Sequence, residues 1–371
     1  MELKRSFRNF TRGVSAYFRE IDFPLFAAAV ALCFLSVLNI YGIGGTQGPF
    51  FTRQLILVTV GIAVMIALSF FNYRYLKNYS FPVLFLYLLG VALLVGTLVS
   101  PSIRGTRAWI VLGNFTFEPS ELAKLMLIIF MAKYFSQRHI HINMFRHVLI
   151  SGLYFVIPLG LILIQPDLGS AVILSVVWGG MLLAAGINAR HLFLLAIVGI
   201  LLAYAAWVYG LEDYQRERLV AFVNPYTDPT GIGYNIIQSQ IAIGAGSWFG
   251  QGLGEGSQAT LGFLPEASTD FVFAALAEQF GFVGITVTFG LLALLLFRIL
   301  RIGERVQNNF GKLFAVGMSI FIGAHVFISA AVNIGLLPVT GIPFSFLSYG
   351  GSHLISLMIG LGTLQSIKRY G

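Results

Sequence analysis

The sequence predicts an all-α polytopic membrane protein of about ten transmembrane helices, with both termini cytoplasmic and one long extracytoplasmic loop between helices 7 and 8. Three observations carry that expectation. The 371-residue chain is 57 % hydrophobic and 10 % charged, where a soluble domain has roughly a quarter of its residues charged. Apolar runs of about 20 residues, the length that crosses a hydrocarbon core, recur along the whole sequence. The lysines and arginines between those runs fall mostly on one side. A β-barrel would show short alternating segments instead, and the sequence has none.

The runs lie at about 23–41, 54–71, 81–100, 118–135, 147–164, 168–186, 191–210, 269–298, 312–337 and 344–366. Taken in order, they put seventeen of the 23 basic residues on one side, in the first tail, the connections and the C-terminal end. Five (Arg53, Arg104, Arg107, Arg216 and Arg218) fall on the other, and Lys124 lies within a run. Basic segments stay cytoplasmic, so both termini are expected there. Residues 1–22 carry Lys4, Arg5, Arg8, Arg12 and Arg19 with no short apolar core and cleavage site behind them. They read as a basic cytoplasmic tail rather than a signal peptide. The single cysteine, Cys33, excludes an internal disulfide and a cysteine metal cluster.

The acidic residues sort the opposite way, gathering in outer loops and at outer helix ends. They contribute little to topology, so chemistry at the outer face is the better reason for their placement. Residues 211–268 form an outer loop far beyond the usual connection length. It contains "GYNIIQSQIAIGAG", apolar enough for a half-helix on or in the interface. No fixed-period repeat and no paired interrupted helices appear, against an inverted-repeat transporter. The chain reads as one transmembrane domain over residues 1–371.

Several segments offer chemistry. In "RGTRAWIVLGNFTFEPSELAKL", Pro119 suits a first helical position, and Glu118, Glu121 and Lys124 then share one helical face. Lys124 reads either as the partner of Glu121 in an intrahelical ion pair or as a cation placed for an anionic substrate. Arg104, Arg107 and Trp109 precede that helix; arginines are natural phosphate clamps, and an interfacial tryptophan also serves as a membrane anchor. In "QPDLG", Asp167 reads as a helix N-cap and Gln165 as a polar contact to a cavity. Arg216 and Arg218 add outer cations. The glycines at 250, 252, 254 and 256 read as a flexible turn or as an anion cradle of backbone N–H groups.

In "FLPEASTDFVFAALAEQFG", Ser268 and Thr269 offer N-caps, which puts Asp270 in the first turn beside the positive end of the helix dipole. Glu278 lies eight residues on, about 12 Å deeper by helix rise, and a carboxylate there needs a partner. The expectation is that spans 4 and 8 are neighbours and that Glu278 meets Lys124. No HExxH, Asp-x-Asp, P-loop or Gly-x-Ser-x-Gly motif is present, and no dedicated metal site is legible. "HIH" at 139–141 reads as solvated, and His325 as a hydrogen-bonded helix contact.

The blocks "RAWIVLG", "FEPSELAKL", "QPDLG", "DPTGIGYNIIQSQIAIG", "FLPEASTDFVFA", "AEQFG" and "GLLPVTGIPFSFLSYGGS", in this order, closely resemble the signatures of the shape, elongation, division and sporulation (SEDS) family. The likeness covers essentially all ten runs, and "DYQRER", "IAIG" and the short tails resemble its rod-shape branch more than its division branch. The resemblance implies a peptidoglycan glycosyltransferase of the cytoplasmic membrane that polymerises lipid II at the outer face during elongation and rod-shape maintenance. It implies a class B penicillin-binding protein (transpeptidase) and the elongation machinery as partners, with lipid II, undecaprenyl-pyrophosphate-linked glycan and membrane lipid as ligands and no nucleic acid. Carried over by motif, Asp270 is the essential aspartate, Trp109 belongs to a functional block, and Ser120, Glu121 and Lys124 lie in the central cavity. Two departures stand out: Ser268 where a histidine commonly precedes T-D-F, and Ser345 where a proline is usual.

On this reading Asp270 is the general base. Lys124 holds the pyrophosphate with one or more of Arg104, Arg107, Arg216 and Arg218, while Glu278, Glu266 and Gln165 support the site. Direct displacement inverts the donor sugar. The sequence requires no cofactor and leaves a divalent cation on the substrate pyrophosphate open. The rival expectation is a lipid II flippase or transporter; a non-catalytic scaffold is weakened by charges placed expensively inside the membrane.

Overall fold

The computed structural model describes residues 20–45, 48, 50–102, 105–113, 115–138, 145–205, 208, 216, 222, 224 and 231–371. Hydropathy and a few local stop signals set the helices. The first is α1 (Phe23–Gly44), where Asp22 accepts from Leu25 N at 3.1 Å and Pro24 sits in the first turn, the position that tolerates a missing N–H. It is followed by α2 (Phe51–Phe70), the short α3 (Arg74–Asn78) and α4 (Ser80–Thr97). A small antiparallel hairpin, β1 (Ile110–Leu112) and β2 (Phe115–Phe117), pairs Val111 with Thr116. It leads directly into α5 (Pro119–Arg138), which begins at the expected proline.

Then come α6 (Phe145–Ile164), α7 (Leu168–Ala185) and α8 (Ala189–Ala205). Asp167 caps α7 by accepting from Ser170 N at 3.0 Å, as its local sequence predicts. The loop stretch expected as a half-helix forms α9 (Ile232–Gly246), and a single turn, α10 (Ser257–Thr260), follows. The chain ends with α11 (Val272–Arg305), α12 (Asn309–Asn333) and α13 (Gly351–Tyr370).

Among the described residues, seven helices are long and apolar enough to cross a membrane: α1, α2, α4, α6, α7, α11 and α12. The helices α5 and α13 are less apolar for a physical reason. Both are interior helices, buried along almost their whole length, and interior positions tolerate polar groups that can be paired. α5 lies against α4, α7, α12 and α13; α13 lies against α2, α5 and α12. The outward faces are apolar, with Phe81, Phe85, Leu149 and Leu153 exposed, as for a surface that meets hydrocarbon.

The bundle has a basic end. Arg298 pairs with Asp22, Arg369 with Glu20 at 2.6 Å, and Gln365 exchanges two hydrogen bonds with the Asp22 backbone. The start of α1 and the ends of α11 and α13 therefore meet on one side.

Two expected boundaries change. Span 8 is not one helix from 269. Gly281 leaves the helical region (φ 64°, ψ −162°) and divides α11 into 272–280 and 282–305. A left-handed φ favours glycine, and a Cβ here would collide with the backbone of Phe249 and Gly250. The second piece, 24 residues and about 36 Å at helical rise, is long enough to span alone. Span 10 does not start at 344, because helix α13 begins at Gly351 after an irregular loop.

Candidate active site

The first turns of α5 bring the expected polar residues together. Ser120 donates to Glu118 Oε1 at 2.6 Å, and its hydroxyl meets that of Ser170, at the start of α7, at 3.1 Å. Glu118 N donates to Ser352 Oγ at 2.8 Å, tying the hairpin exit to α13. Three residues apart on one face, Lys124 Nζ donates to Glu121 Oε1 at 2.6 Å, with both side chains 1 % exposed. The intrahelical pair is thus present. A pair this deep is costly to desolvate and persists where further hydrogen bonds complete it.

That completion comes from two histidines. His353 Nδ1 lies 2.7 Å from Glu121 Oε2, and its Nε2 meets Ser345 Oγ at 3.2 Å. His325 Nδ1 bonds the Pro343 carbonyl at 3.1 Å, and its Nε2 points at Glu121 Oε2 from 3.8 Å. The two rings lie 4.2 Å apart, centroid to centroid. Glu121, His325 and His353 each present a ligand atom within 4.8 Å of the others. His325 was expected as an ordinary helix contact, and His353 was not singled out at all. They converge from α12 and α13 on a residue of α5, so no sequence spacing announces them.

Asp270 sits in a turn before α11 rather than in the helix's first turn, because the helix starts at Val272 and Phe271 occupies the cap without a side-chain bond. Glu266, at φ 53°, opens this turn. Its carbonyl accepts from Thr269 N and Phe271 N, both at 3.1 Å, and its Oε2 from Thr269 Oγ1 at 2.7 Å. Ser348 Oγ donates to Thr269 O at 2.6 Å, and Tyr349 N to Ser268 O at 2.7 Å. Asn333, at the end of α12, donates Nδ2 to Asp270 O at 2.9 Å and accepts Ala274 N on Oδ1 at 3.0 Å. Asp270 Oδ2 lies beside Gly341, where a Cβ would be 3.9 Å away. The neighbouring Thr340 carbonyl lies against Gly169 at the start of α7. The Asp270 turn, the 340–342 loop, the α7 start and the α5 start therefore abut in succession.

Glu278 does not meet Lys124. Its carboxylate accepts Gln258 N at 2.7 Å and Ala259 N at 3.0 Å, capping α10. The Gly-rich loop wraps the same helix end, with Gln251 N and Gly252 N donating to the carbonyls of Glu278 and Gln279. A Cβ at Gly256 would lie 2.7 Å from the Glu278 carboxyl carbon, so any larger residue there would push the carboxylate from its place. The loop cradles an anion, and that anion is the chain's own. The depth argument failed because it ran helical rise through to a residue whose partners lie in the loop. α12 packs against both α5 and α11 and so links spans 4 and 8.

Of the other expected residues, Gln165 is buried and donates Nε2 to Leu94 O at 3.0 Å, while its backbone carbonyl takes Arg107 N at 3.4 Å. Arg107 is exposed, and Trp109 is half-buried just before β1. Arg216 Nη2 bonds Val208 O at 3.4 Å. Arg104, Arg218, His139 and His141 lie outside the described residues. Asn333, Ser348 and Ser352 were missed; the "VNIG" and "SYGGS" segments mark them only as polar residues among apolar ones.

A family model described as "Cell cycle protein", spanning FtsW, RodA and SpoVE, matches residues 19–371. The probable peptidoglycan glycosyltransferase FtsW of Trichlorobacter lovleyi is 34 % identical over 358 residues, covering 94 % of this chain and 93 % of the relative. The peptidoglycan glycosyltransferase MrdB of Escherichia coli K12 is 33 % identical over 352 residues, covering 95 % and 94 %. Among solved structures, a chain of a peptidoglycan synthase complex that coordinates polymerization and crosslinking superposes with a TM-score of 0.79 at 30 % identity, covering 94 % of this chain and 98 % of that one. The rod shape determining protein RodA of Thermus thermophilus gives 0.70 at 28 %, covering 94 % and 97 %.

Proposed function

The chain belongs to the SEDS family of FtsW, RodA and SpoVE proteins, and from that premise we propose that it polymerises lipid II into β-1,4-linked glycan at the outer face of the cytoplasmic membrane. It is a multi-pass membrane protein of the peptidoglycan glycosyltransferase class. In our reading the whole chain is one transmembrane domain with ten spans and cytoplasmic termini, and its role is elongation and rod shape. Its transpeptidase partner is a class B penicillin-binding protein; the similarity to a chain of a polymerizing and crosslinking complex supports that partner.

Asp270 is the general base. Its carboxylate takes the proton of the acceptor sugar hydroxyl while that oxygen bonds the donor's anomeric carbon. The bond from that carbon to the pyrophosphate breaks, undecaprenyl pyrophosphate leaves, and an α-linked phosphate becomes a β-linked glycan. Lys124, steadied by Glu121, supplies positive charge for the leaving group together with Arg107, Arg216, Arg104 and Arg218. Such preorganised charge is commonly the largest catalytic contribution. Glu266 holds the turn that carries the base, and Glu278 holds the loop that precedes it in the chain.

The observation that carries this reading is the fixing of the Asp270 turn by Asn333, Ser348 and Tyr349, three residues from outside it. A base held from several sides is preorganised, and a positioned base contributes about 10² to 10⁴ in rate. The test is glycan formation by purified protein from lipid II in detergent. Asp270→Asn should lose at least about 100-fold while remaining folded. Full activity in that variant would sink the assignment, and movement of lipid II between leaflets without polymer would favour transport instead.

A further inference from the structure

Three helices of this chain bring two imidazoles and a carboxylate to one buried point, and the arrangement has an unpaired atom at its centre. The Pro343 carbonyl can only accept, so the 3.1 Å contact to His325 Nδ1 fixes the proton on that nitrogen. His325 Nε2 then carries a lone pair. It is buried, has no hydrogen-bond partner, and faces Glu121 Oε2 at 3.8 Å. His353 Nδ1 converges on the same oxygen at 2.7 Å, and its Nε2 is held by Ser345. A buried imidazole lone pair 3.8 Å from a carboxylate oxygen is an unfavourable neighbour that a cation held between the two would relieve.

From this geometry we infer that Glu121 Oε2, His325 Nε2 and His353 Nδ1 form a binding site for a divalent transition metal of the zinc class. Imidazole and carboxylate are the donors such ions take, at about 2.0–2.2 Å, so two ligands of one tetrahedral ion stand about 3.3 Å apart. The two distances to Glu121 Oε2, 2.7 and 3.8 Å, bracket that value, and with all three ligand atoms within 4.8 Å of one another small side-chain rotations reach it. A shared proton fits less well, because 3.8 Å is beyond hydrogen-bond length. Lys124 stays on the other oxygen, Oε1, so the carboxylate bridges cation and metal. Pro343 O and Ser345 Oγ supply the outer contacts that orient metal-binding histidines. Ser345 stands where a proline is usual in this family, so the hydroxyl behind His353 is one of the chain's departures from the family pattern.

The site shares Glu121 with the polymerase reading but does not rest on it, because its test reads metal rather than glycan. Tag-free full-length protein, stripped with chelator in detergent, is titrated with Zn²⁺ and separately with Co²⁺. Expected are one equivalent of tightly bound Zn²⁺ after gel filtration and the visible absorption of a low-coordinate Co²⁺ site. His325→Ala and His353→Ala should each abolish both, and His147→Ala should leave both intact. Ser345→Ala should weaken binding by about 10- to 100-fold. It touches the cluster only from behind, so it keeps the test decisive where a histidine variant does not fold. Absence of stoichiometric binding, or binding unchanged in both histidine variants and Ser345→Ala, overturns the inference.

Discussion

Asn333 Nδ2 donates to the Asp270 carbonyl at 2.9 Å while Asn333 Oδ1 takes the N–H of Ala274, so one amide clamps the turn to the helix that follows it. The same Nδ2 also reaches Ser329 O at 2.8 Å. The amide is fully buried, which makes both its donor and acceptor ends matter. Asn333→Asp keeps the acceptor and loses the donor, placing an acceptor against two carbonyls. We expect polymerisation from lipid II to fall about 100-fold, the scale on which a 1 Å misplacement of a reacting group acts. Retained activity in folded Asn333→Asp would show that Asp270 does not depend on this clamp.

Ser348 is the second tether. Its hydroxyl donates to Thr269 O at 2.6 Å and accepts Phe344 N at 2.8 Å. Ser348→Ala leaves Phe344 N unpaired in a buried place, a cost of about 1–3 kcal/mol, and Thr269 O unpaired in a partly buried one. Thermal unfolding in detergent should show a lower midpoint, and polymer yield per folded protein should drop as well. A midpoint equal to that of the parent would mean that neither bond contributes.

The Glu121–Lys124 pair makes a different kind of prediction. Lys124→Met leaves Glu121 with only imidazoles beside it and Glu121→Gln leaves Lys124 without its bonded carboxylate; breaking a buried pair typically costs about 3–5 kcal/mol. Lys124→Met and Glu121→Gln should each be strongly destabilising. The double variant should recover much of that stability, because removing both charges of a buried pair is often close to neutral. It should not recover polymerisation if Lys124 supplies charge to the pyrophosphate. A double variant that is both stable and active would reduce the pair to packing.

Local rules made much of this fold legible. Pro119 and Asp167 mark helix starts by what their side chains do to the nearest N–H groups, and both stand where expected. The apolar runs mark helices because hydrocarbon-length burial needs no partner information. The candidate site was legible only in part. Asp270, Glu121 and Lys124 sit in recognisable motifs, whereas His325 and His353 acquire their meaning from Glu121 on a third helix. Asn333 and Ser348 act through backbone carbonyls some 63 and 79 positions away, a relation no short pattern encodes. Glu278 was misread for a nameable reason: "EQFGF" holds Gly281 inside a helical pattern, a sign of a break that periodicity alone passes over.

That break gives the last prediction. Glu278 accepts two loop N–H groups through its two carboxylate oxygens, and hydrogen bonds to a charged group are worth about 1.5–3 kcal/mol each. Glu278→Gln keeps one acceptor oxygen and turns the other position into a donor facing an N–H, so it should loosen the 247–262 loop. Limited proteolysis should then cut that loop faster than in the parent. Because Lys124 already has Glu121, the Glu278→Gln and Lys124→Met effects on stability should add within about 0.5 kcal/mol, as for sites with no shared partner. A coupling clearly larger than that would restore the direct contact between Glu278 and Lys124 that the hydrogen bonds of the loop now replace.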